Sequence, residues 1–337
     1  MQKIKFLFRA LRALNLTNLL NTARQVARAN KRLTMGVFFD IIWCGLRYGA
    51  GHTDYRTMNF INKPARQRAT FVTRGVNNGY IRKLNQRTSY HKLENKITFN
   101  TLFNDYVGRE WLDLNDADIA TFTAFVQKHP AIIVKPVDKL CGQGIEKHQI
   151  NSDTDIAGLY YALNTVGQTL VEECITQHAA LNGLYAPSVN TLRLVTVRTD
   201  DKVHIVFSVF RIGLGGSVID NTDAGGLCAF PNEAGVLTTE GINYKGDIFP
   251  NHPDTGVAFK GFVLPLFHEA QVLVKKAAMI TPELRYIGWD VAFTEDRPIL
   301  IEANHNPAHS SFQTIAFMDA TENGKRPIFD KIFENIR

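Results

Sequence analysis

The chain has 337 residues, 45% of them hydrophobic and 21% charged, which excludes a disordered protein and allows two or three lobes. Its net charge of +6 conceals an asymmetry: residues 1–100 hold 19 Lys/Arg against 3 Asp/Glu, a balance of +16, and residues 101–337 hold 19 against 29, a balance of −10. Cys44, Cys141, Cys174 and Cys228 form no CxxC pair, which argues against a zinc ribbon or a disulfide framework and fits a reducing cytoplasm.

Residues 1–50 read mainly as helix. Ile4, Leu7, Leu11 and Leu14 fall at helical spacing among Lys3, Lys5, Arg9 and Arg12. The apolar stretches are too short to span a bilayer, and Arg9 and Arg12 interrupt the run that a secretory signal needs. Such a helix either lies on a membrane surface or packs on the protein's own body with its basic face in water. Residues 51–95 are basic and mixed, and residues 97–128 read as helix around Leu102, Phe103 and Phe122–Val126. From residue 131 short apolar runs alternate with turn signals. Strands are expected at Ala131–Lys135, Gln168–Glu172, Thr191–Arg198, Val203–Arg211, Tyr286–Phe293 and Pro298–Ala303, with helices near 153–165 and 263–281. This is an α+β pattern with several antiparallel pairs.

The last two strands form a hairpin. With its turn centred on Asp296, Asp290 faces Glu302, Ala292 faces Leu300 and Gly288 faces Asn304. Alternation then puts Asp290, Glu302 and Asn304 on one face. Opposed residues have Cβ atoms only about 4.5–5.5 Å apart, so two carboxylates there repel unless a proton or a cation intervenes. Mg²⁺ takes one or two carboxylates and completes its shell with water and phosphate oxygens, and Asn304 adds a neutral oxygen. The plainer alternative is a solvated polar face, against which the apolar neighbours weigh.

Upstream, the strand ending in Lys135 leads into a loop with Lys139, Gly142, Gln143 and Gly144. Closely spaced glycines let backbone N–H groups approach an anion, though this loop is neither a Walker A loop nor a dinucleotide fingerprint. Arg193 lies inside an apolar strand, so it either bonds a carboxylate or faces a ligand anion. His305 and His309 have the spacing of a zinc pair, but Pro307 between them opposes a helix there.

Taken in order, these pieces resemble the ATP-grasp superfamily: Lys135 with Gly142–Gly144, then Glu172-Glu173-Cys174-Ile175, then Arg193, then Asp290 with Glu302 and Asn304. Within it they resemble the sugar-transfer-associated group, related to alpha-L-glutamate ligases. The carriers are Ser188-Val189-Asn190-Thr191-Leu192-Arg193-Leu194-Val195-Thr196, Asn221-Thr222-Asp223-Ala224-Gly225-Gly226 and Asp54-Tyr55-Arg56. The resemblance implies an α+β ATP-grasp fold, two α+β lobes gripping ATP, with a helical, basic amino-terminal region. It divides the chain into that region (1–50), an amino-terminal lobe (51–130), a lid subdomain with glycine loop and hinge (131–180) and a carboxy-terminal lobe with the metal site (181–337). It implies that Lys96 and Lys135 hold ATP phosphates, that Gly142, Gln143 and Gly144 close over them, and that Glu172, Glu173, Cys174 and Ile175 meet adenine through their backbone. Asp290, Glu302 and Asn304 would bind Mg²⁺, Arg193 would be catalytic, and Asn221, Gly225 and Gly226 would face the acceptor substrate.

The implied activity is an ATP- and Mg²⁺-dependent carboxylate–amine ligase working through an acyl phosphate with release of ADP. The group association points to an amino acid joined to a uronic acid or related carboxylate in surface-polysaccharide biosynthesis. The expected location is cytoplasmic, at the inner membrane surface if the amino-terminal helix makes a peripheral membrane contact. Two other readings are an ATP-dependent phosphotransferase on the same fold and a basic nucleic-acid-binding module. No nucleic-acid motif supports the last, so no nucleic acid is expected as partner.

Overall fold

A computed structural model describes residues 16–137, 143–221, 225–307, 309, 313 and 321–334. The amphipathic pattern of residues 1–15 and the glycine at 142 lie outside the described residues. The chain forms two compact units, Met1–Lys83 with Ala308–Arg337, and Leu84–Pro307.

Helix α1 (Leu16–Ala29) and helix α2 (Thr34–Tyr48) open the first unit. Leu19, Ala23 and Val26 of α1 and Val37, Ile41 and Cys44 of α2 recur every three or four residues, and this spacing buries one stripe of each helix with Tyr55, Phe60 and Phe71. Asp40 on α2 is fixed by Arg68, whose Nη1 and Nη2 donate at 2.7 and 2.9 Å, and by the Tyr55 hydroxyl at 2.6 Å. Asp54 collects the backbone N–H groups of Gly51 and Arg74 at 3.0 and 2.8 Å, and His309 Nε2 lies 2.9 Å from it.

The second unit carries two antiparallel sheets. Helix α3 (Lys96–Leu102) precedes strand β1 (Trp111–Asp113), helix α4 (Ile119–Lys128), β2 (Ala131–Lys135), β3 (Glu146–Gln149), helix α5 (Ile156–Val166) and β4 (Leu170–Glu173). These four strands pair in the order β1-β4-β2-β3. Phe122 and Val126 from α4 and Leu163 from α5 pack on Ile132, Val134 and Val171 of this sheet. The larger sheet has the order β11-β10-β5-β6-β7-β8-β9. Its strands are β5 (Thr191–Arg198), β6 (Val203–Ile212), β7 (Leu227–Ala229), β8 (Gly241–Ile242), β9 (Ile248–Phe249), β10 (Tyr286–Phe293) and β11 (Pro298–Asn304). Helix α6 (Phe267–Ala277) lies against β5, β6 and β11. Every residue of β10 is buried, which follows from an apolar run placed between two neighbouring strands. Trp289 is sealed in this core and satisfies its indole N–H on Thr196 Oγ1 at 2.9 Å.

The expected strands are found, with ends displaced by one or two residues at Leu170–Glu173, Val203–Ile212 and Pro298–Asn304. The helix expected over residues 97–128 is not continuous. It ends first at Leu102, resumes for one turn over Asn104–Val107 and stops at Gly108, which sits in the left-handed region at φ 60°. The chain then enters β1, which pairs with β4, and α4 restarts with Asp118 accepting from Thr121 N at 2.8 Å. Residues 52–57 and 74–84 are helical within the stretch read as mixed. No helix among the described residues is long and apolar enough to cross a membrane.

Gly108 is required by more than its dihedral angle, because a Cβ there would run into the Ile299 side chain. Gly108→Ala is therefore expected to cost about 2 kcal/mol or more of unfolding free energy, measured by urea titration.

Candidate active site

The β10–β11 register places Asp290 opposite Glu302 and Gly288 opposite Asn304, as the hairpin reading requires. It also corrects that reading at one pair. An irregularity between Asp290 and Val291 leaves Ile301 as an extra residue on β11, so Val291 faces Leu300, and Ala292 faces Ile299 instead of Leu300.

Asp290 is 1% exposed, and its neutralisation is local. Arg193 lies directly across from it on β5 and donates through Nε and through Nη2, the latter at 2.7 Å. Arg211 on β6 reaches the same carboxylate through Nη2 at 2.7 Å. Burial alone would raise the Asp290 pKa, but Arg193 and Arg211 outweigh it and hold the carboxyl well below its ordinary range. Glu302 is displaced the other way, pushed up by burial and then by the Asp290 charge. The two opposed carboxyls are thus displaced in opposite directions, Asp290 down and Glu302 up. Strand geometry left a proton or a cation to resolve their repulsion, and the structure adds two guanidinium groups that neutralise Asp290.

Arg211 and Asp220 were not singled out from the sequence. Asp220 accepts from Thr191 N at 2.9 Å and from Thr191 Oγ1 at 2.5 Å. Arg211 donates to the same Thr191 hydroxyl oxygen through Nη2 at 2.8 Å, and its Nε lies 3.9 Å from Asp220. Burial raises the Asp220 pKa against the pull of Arg211. The signal was present, since Arg211 stands in an apolar strand just as Arg193 does.

Asp220 leads directly into the expected acceptor loop. The Asn221 carbonyl accepts from Gly226 N at 3.0 Å, and Gly225 has φ 102°. A Cβ on Gly226 would meet the carbonyl oxygens of Asp220 and Ile212, so only glycine fits. Residues 222–224 lie outside the described residues.

A second charge cluster sits on the four-stranded sheet. Glu172, 2% exposed, pairs with Lys135 and with Arg109 Nη2 at 2.6 Å, and accepts from Asn100 Nδ2 at 2.9 Å. Burial opposes ionisation of Glu172, yet Arg109 and Lys135 hold its pKa far below the usual range. Arg109 also donates through Nη1 to the carbonyl oxygens of Val107 at 3.0 Å and Leu300 at 2.7 Å. Glu172 and Glu173 end strand β4: Glu172 faces Ile133 across the ladder, and Glu173 N donates to the Glu110 carbonyl at 2.9 Å. Cys174 and Ile175, the rest of the expected hinge, follow β4.

A cavity of about 230 Å³ gathers Lys96, Glu302 and Asn304, with Glu94, Phe99 and His305 among its other walls. Lys96 begins α3, and its Nζ lies 3.5 Å from the Val137 carbonyl. Asn304 Nδ2 is 3.4 Å from Glu302 Oε1. His305 stacks on Tyr90 with ring centroids 3.7 Å apart and puts Nε2 2.7 Å from Glu94. The zinc reading is not supported, since His305 is engaged with Glu94 and His309 with Asp54. Among the described residues no group of three or more His, Cys, Asp or Glu side chains is arranged to hold a metal. Gly144, with φ 71°, accepts from Gln168 Nε2 at 2.9 Å, and Gln143 beside it is exposed.

The family of sugar-transfer associated ATP-grasp proteins matches residues 75–321. The chain belongs to this family, and its two antiparallel sheets with surrounding helices are an α+β ATP-grasp fold preceded by a helical region. No curated protein sequence matches it. Among solved structures, the ATP-grasp ligase PsnB complexed with minimal precursor is similar at a TM-score of 0.45 and 15% identity, covering 75% of this chain and 64% of that one. D-alanyl-alanine synthetase A from Vibrio cholerae O1 biovar eltor is similar at 0.44 and 14%, covering 72% and 65%. An ADP complex of N5-carboxyaminoimidazole ribonucleotide synthetase gives 0.40 and 11%, covering 66% and 47%. The chain spans just under two thirds of the length of the first two.

The Glu172 cluster has a measurable consequence. Arg109→Met removes one counter-charge from a buried carboxylate and is expected to cost roughly 3–5 kcal/mol in denaturant unfolding. Glu172 binds a proton less readily folded than unfolded. Its stabilisation is therefore present above the ordinary carboxylate pKa of about 4 and fades as pH falls below it. Unfolding free energy measured from pH 7 downward should show this acid loss, with a shallower slope in Glu172→Gln.

Proposed function

We propose that this chain is an ATP- and Mg²⁺-dependent ligase that joins a carboxylate to an amine, with an acyl phosphate as intermediate and ADP as product. The observation that carries the proposal is the cavity where Lys96, Glu302 and Asn304 meet, next to a buried Asp290 flanked by two arginines. The donor set fits the cation. Two carboxylates and an amide oxygen are hard ligands, and a magnesium ion ordinarily leaves its remaining positions to water and phosphate. ATP with Mg²⁺ supplies the phosphoryl group that converts a carboxylate oxygen into a leaving group, along with part of the charge neutralisation that transfer needs.

The protein's own residues divide the remaining work. Asp290, Glu302 and Asn304 would hold the cation. Lys96 and Lys135 would hold the phosphates, with the glycine loop that includes Gln143 and Gly144 beside them. Glu172, Glu173, Cys174 and Ile175 would present backbone to adenine. Arg193 is the catalytic group: its guanidinium stabilises oxygens that gain charge in the transition state, and Arg211 supports it from the neighbouring strand. Asn221, Gly225 and Gly226 line the acceptor side. No nucleophilic side chain is needed, since the amine attacks the acyl carbon and phosphate departs.

The family points to a saccharide carboxylate as acceptor. A uronic acid amidated by an amino acid in surface-polysaccharide biosynthesis suits that association and suits the basic amino-terminal third. A cytoplasmic enzyme held at the inner membrane surface by residues 1–15 would meet such a substrate on its lipid carrier.

ADP release screened over uronic acids and peptides against a panel of amino acids tests the activity, and trapping with hydroxylamine as a hydroxamate tests the acyl phosphate. Glu302→Ala and Arg193→Ala are each expected to lower substrate-dependent ADP release by at least about a hundredfold. Circular dichroism should be unchanged, because Arg211 still neutralises Asp290 in the second variant. Turnover retained in both variants overturns the assignment.

A further inference from the structure

We propose that the outer face of α2 docks on an anionic lipid bilayer. The helix is apolar on both sides. Val37, Ile41 and Cys44 turn into the core. On the other side Met35, Phe39, Trp43 and Leu46 recur at intervals of three and four residues, all more than half exposed, with Phe39 at 61% and Trp43 at 58%. Leu33, just before the helix, is 84% exposed. A surface helix normally turns polar residues outward, and a contiguous apolar stripe marks a surface that is covered in use. The nucleotide site draws on no residue of this helix.

Charge selects what covers it. Between residues 16 and 48 the acidic residue is Asp40, and Arg68 already holds it through both terminal nitrogens. The same span exposes Arg24, Arg28, Lys31, Arg32 and Arg47. A second copy would set two such basic surfaces face to face. Residues 1–15 folding back would do the same, since their charged side chains are Lys3, Lys5, Arg9 and Arg12. An RNA would offset the charge and leave Leu33, Met35 and Leu46 without an apolar phase. An anionic bilayer meets both demands: headgroups take the Lys and Arg side chains, and Phe39 and Trp43 enter the interfacial layer that aromatic rings favour.

The test uses the full chain and the double variant Phe39→Ser/Trp43→Ser. Each is centrifuged with vesicles of equimolar phosphatidylglycerol and phosphatidylcholine, and with vesicles of phosphatidylcholine alone. Wild type is expected to pellet with the anionic vesicles in a salt-sensitive way and to stay in solution with the neutral ones. The double variant should lose about tenfold or more in affinity at an unchanged melting temperature. Trp43 emission, taken as wild type minus Trp43→Phe, should shift to the blue when anionic vesicles are added. Absence of pelleting, or equal pelleting of the double variant, overturns the proposal. So does a dimer at sedimentation equilibrium that the double variant dissolves, which identifies a second copy. A Trp43 signal already shielded without vesicles, and unshielded when residues 1–15 are removed, overturns it in favour of the chain's own segment. RNA binding of wild type without vesicle binding also rejects the bilayer.

Discussion

A carboxylate sealed in a fully buried strand must be neutralised where it stands, and Asp290 is neutralised by Arg193 from the adjacent strand and Arg211 from the one beyond. This constraint acts on the same register of β10, β5 and β6 that their backbone ladder sets. It also brings Thr191 and Asp220 into the same network, because Arg211 needs partners for its remaining donors. An uncompensated charge at this depth would cost several kcal/mol, so the arginines are a condition of the fold. Charge groups arranged in advance need little reorganisation when new negative charge develops beside them, which is what phosphoryl transfer asks of an enzyme.

The four-stranded sheet repeats the device with other residues. Glu172 is a buried anion held by Lys135 and Arg109, and its companions leave it little freedom. Lys135 is thereby positioned at the end of β2 at the cost of sharing its charge with Glu172. The two clusters differ in one respect. Burial and the Asp290 charge push the Glu302 pKa up, whereas Arg109 and Lys135 outweigh burial and hold that of Glu172 down.

Much of this was legible in the sequence, for identifiable reasons. The pairing of Asp290 with Glu302 followed from alternation and a polar turn, both of which are local signals. The pairing of Ala292 failed because the extra residue at Ile301 is a backbone event that leaves no mark on the hydrophobic pattern. Residues 97–128 have helical spacing throughout, and only the left-handed Gly108 and the pairing of β1 with distant β4 show why the helix stops. Glu172 stands in the segment that the family resemblance reads as a hinge, and its burial was not legible there because its partners come from residues 100, 109 and 135. Arg211 and Asp220 went unremarked because their partners, Asp290 for the first and Thr191 for the second, lie on other strands distant along the chain.

Arg109 offers a mechanical view of the second unit. Its guanidinium holds Glu172 on the four-stranded sheet with one nitrogen and the Leu300 carbonyl on the seven-stranded sheet with another. The planar group is stiff and charged, and it is anchored at both ends by short contacts. Pulling the two sheets apart at that point would break two charge-assisted or buried bonds at once, so one side chain rivets the lysine-bearing sheet to its neighbour.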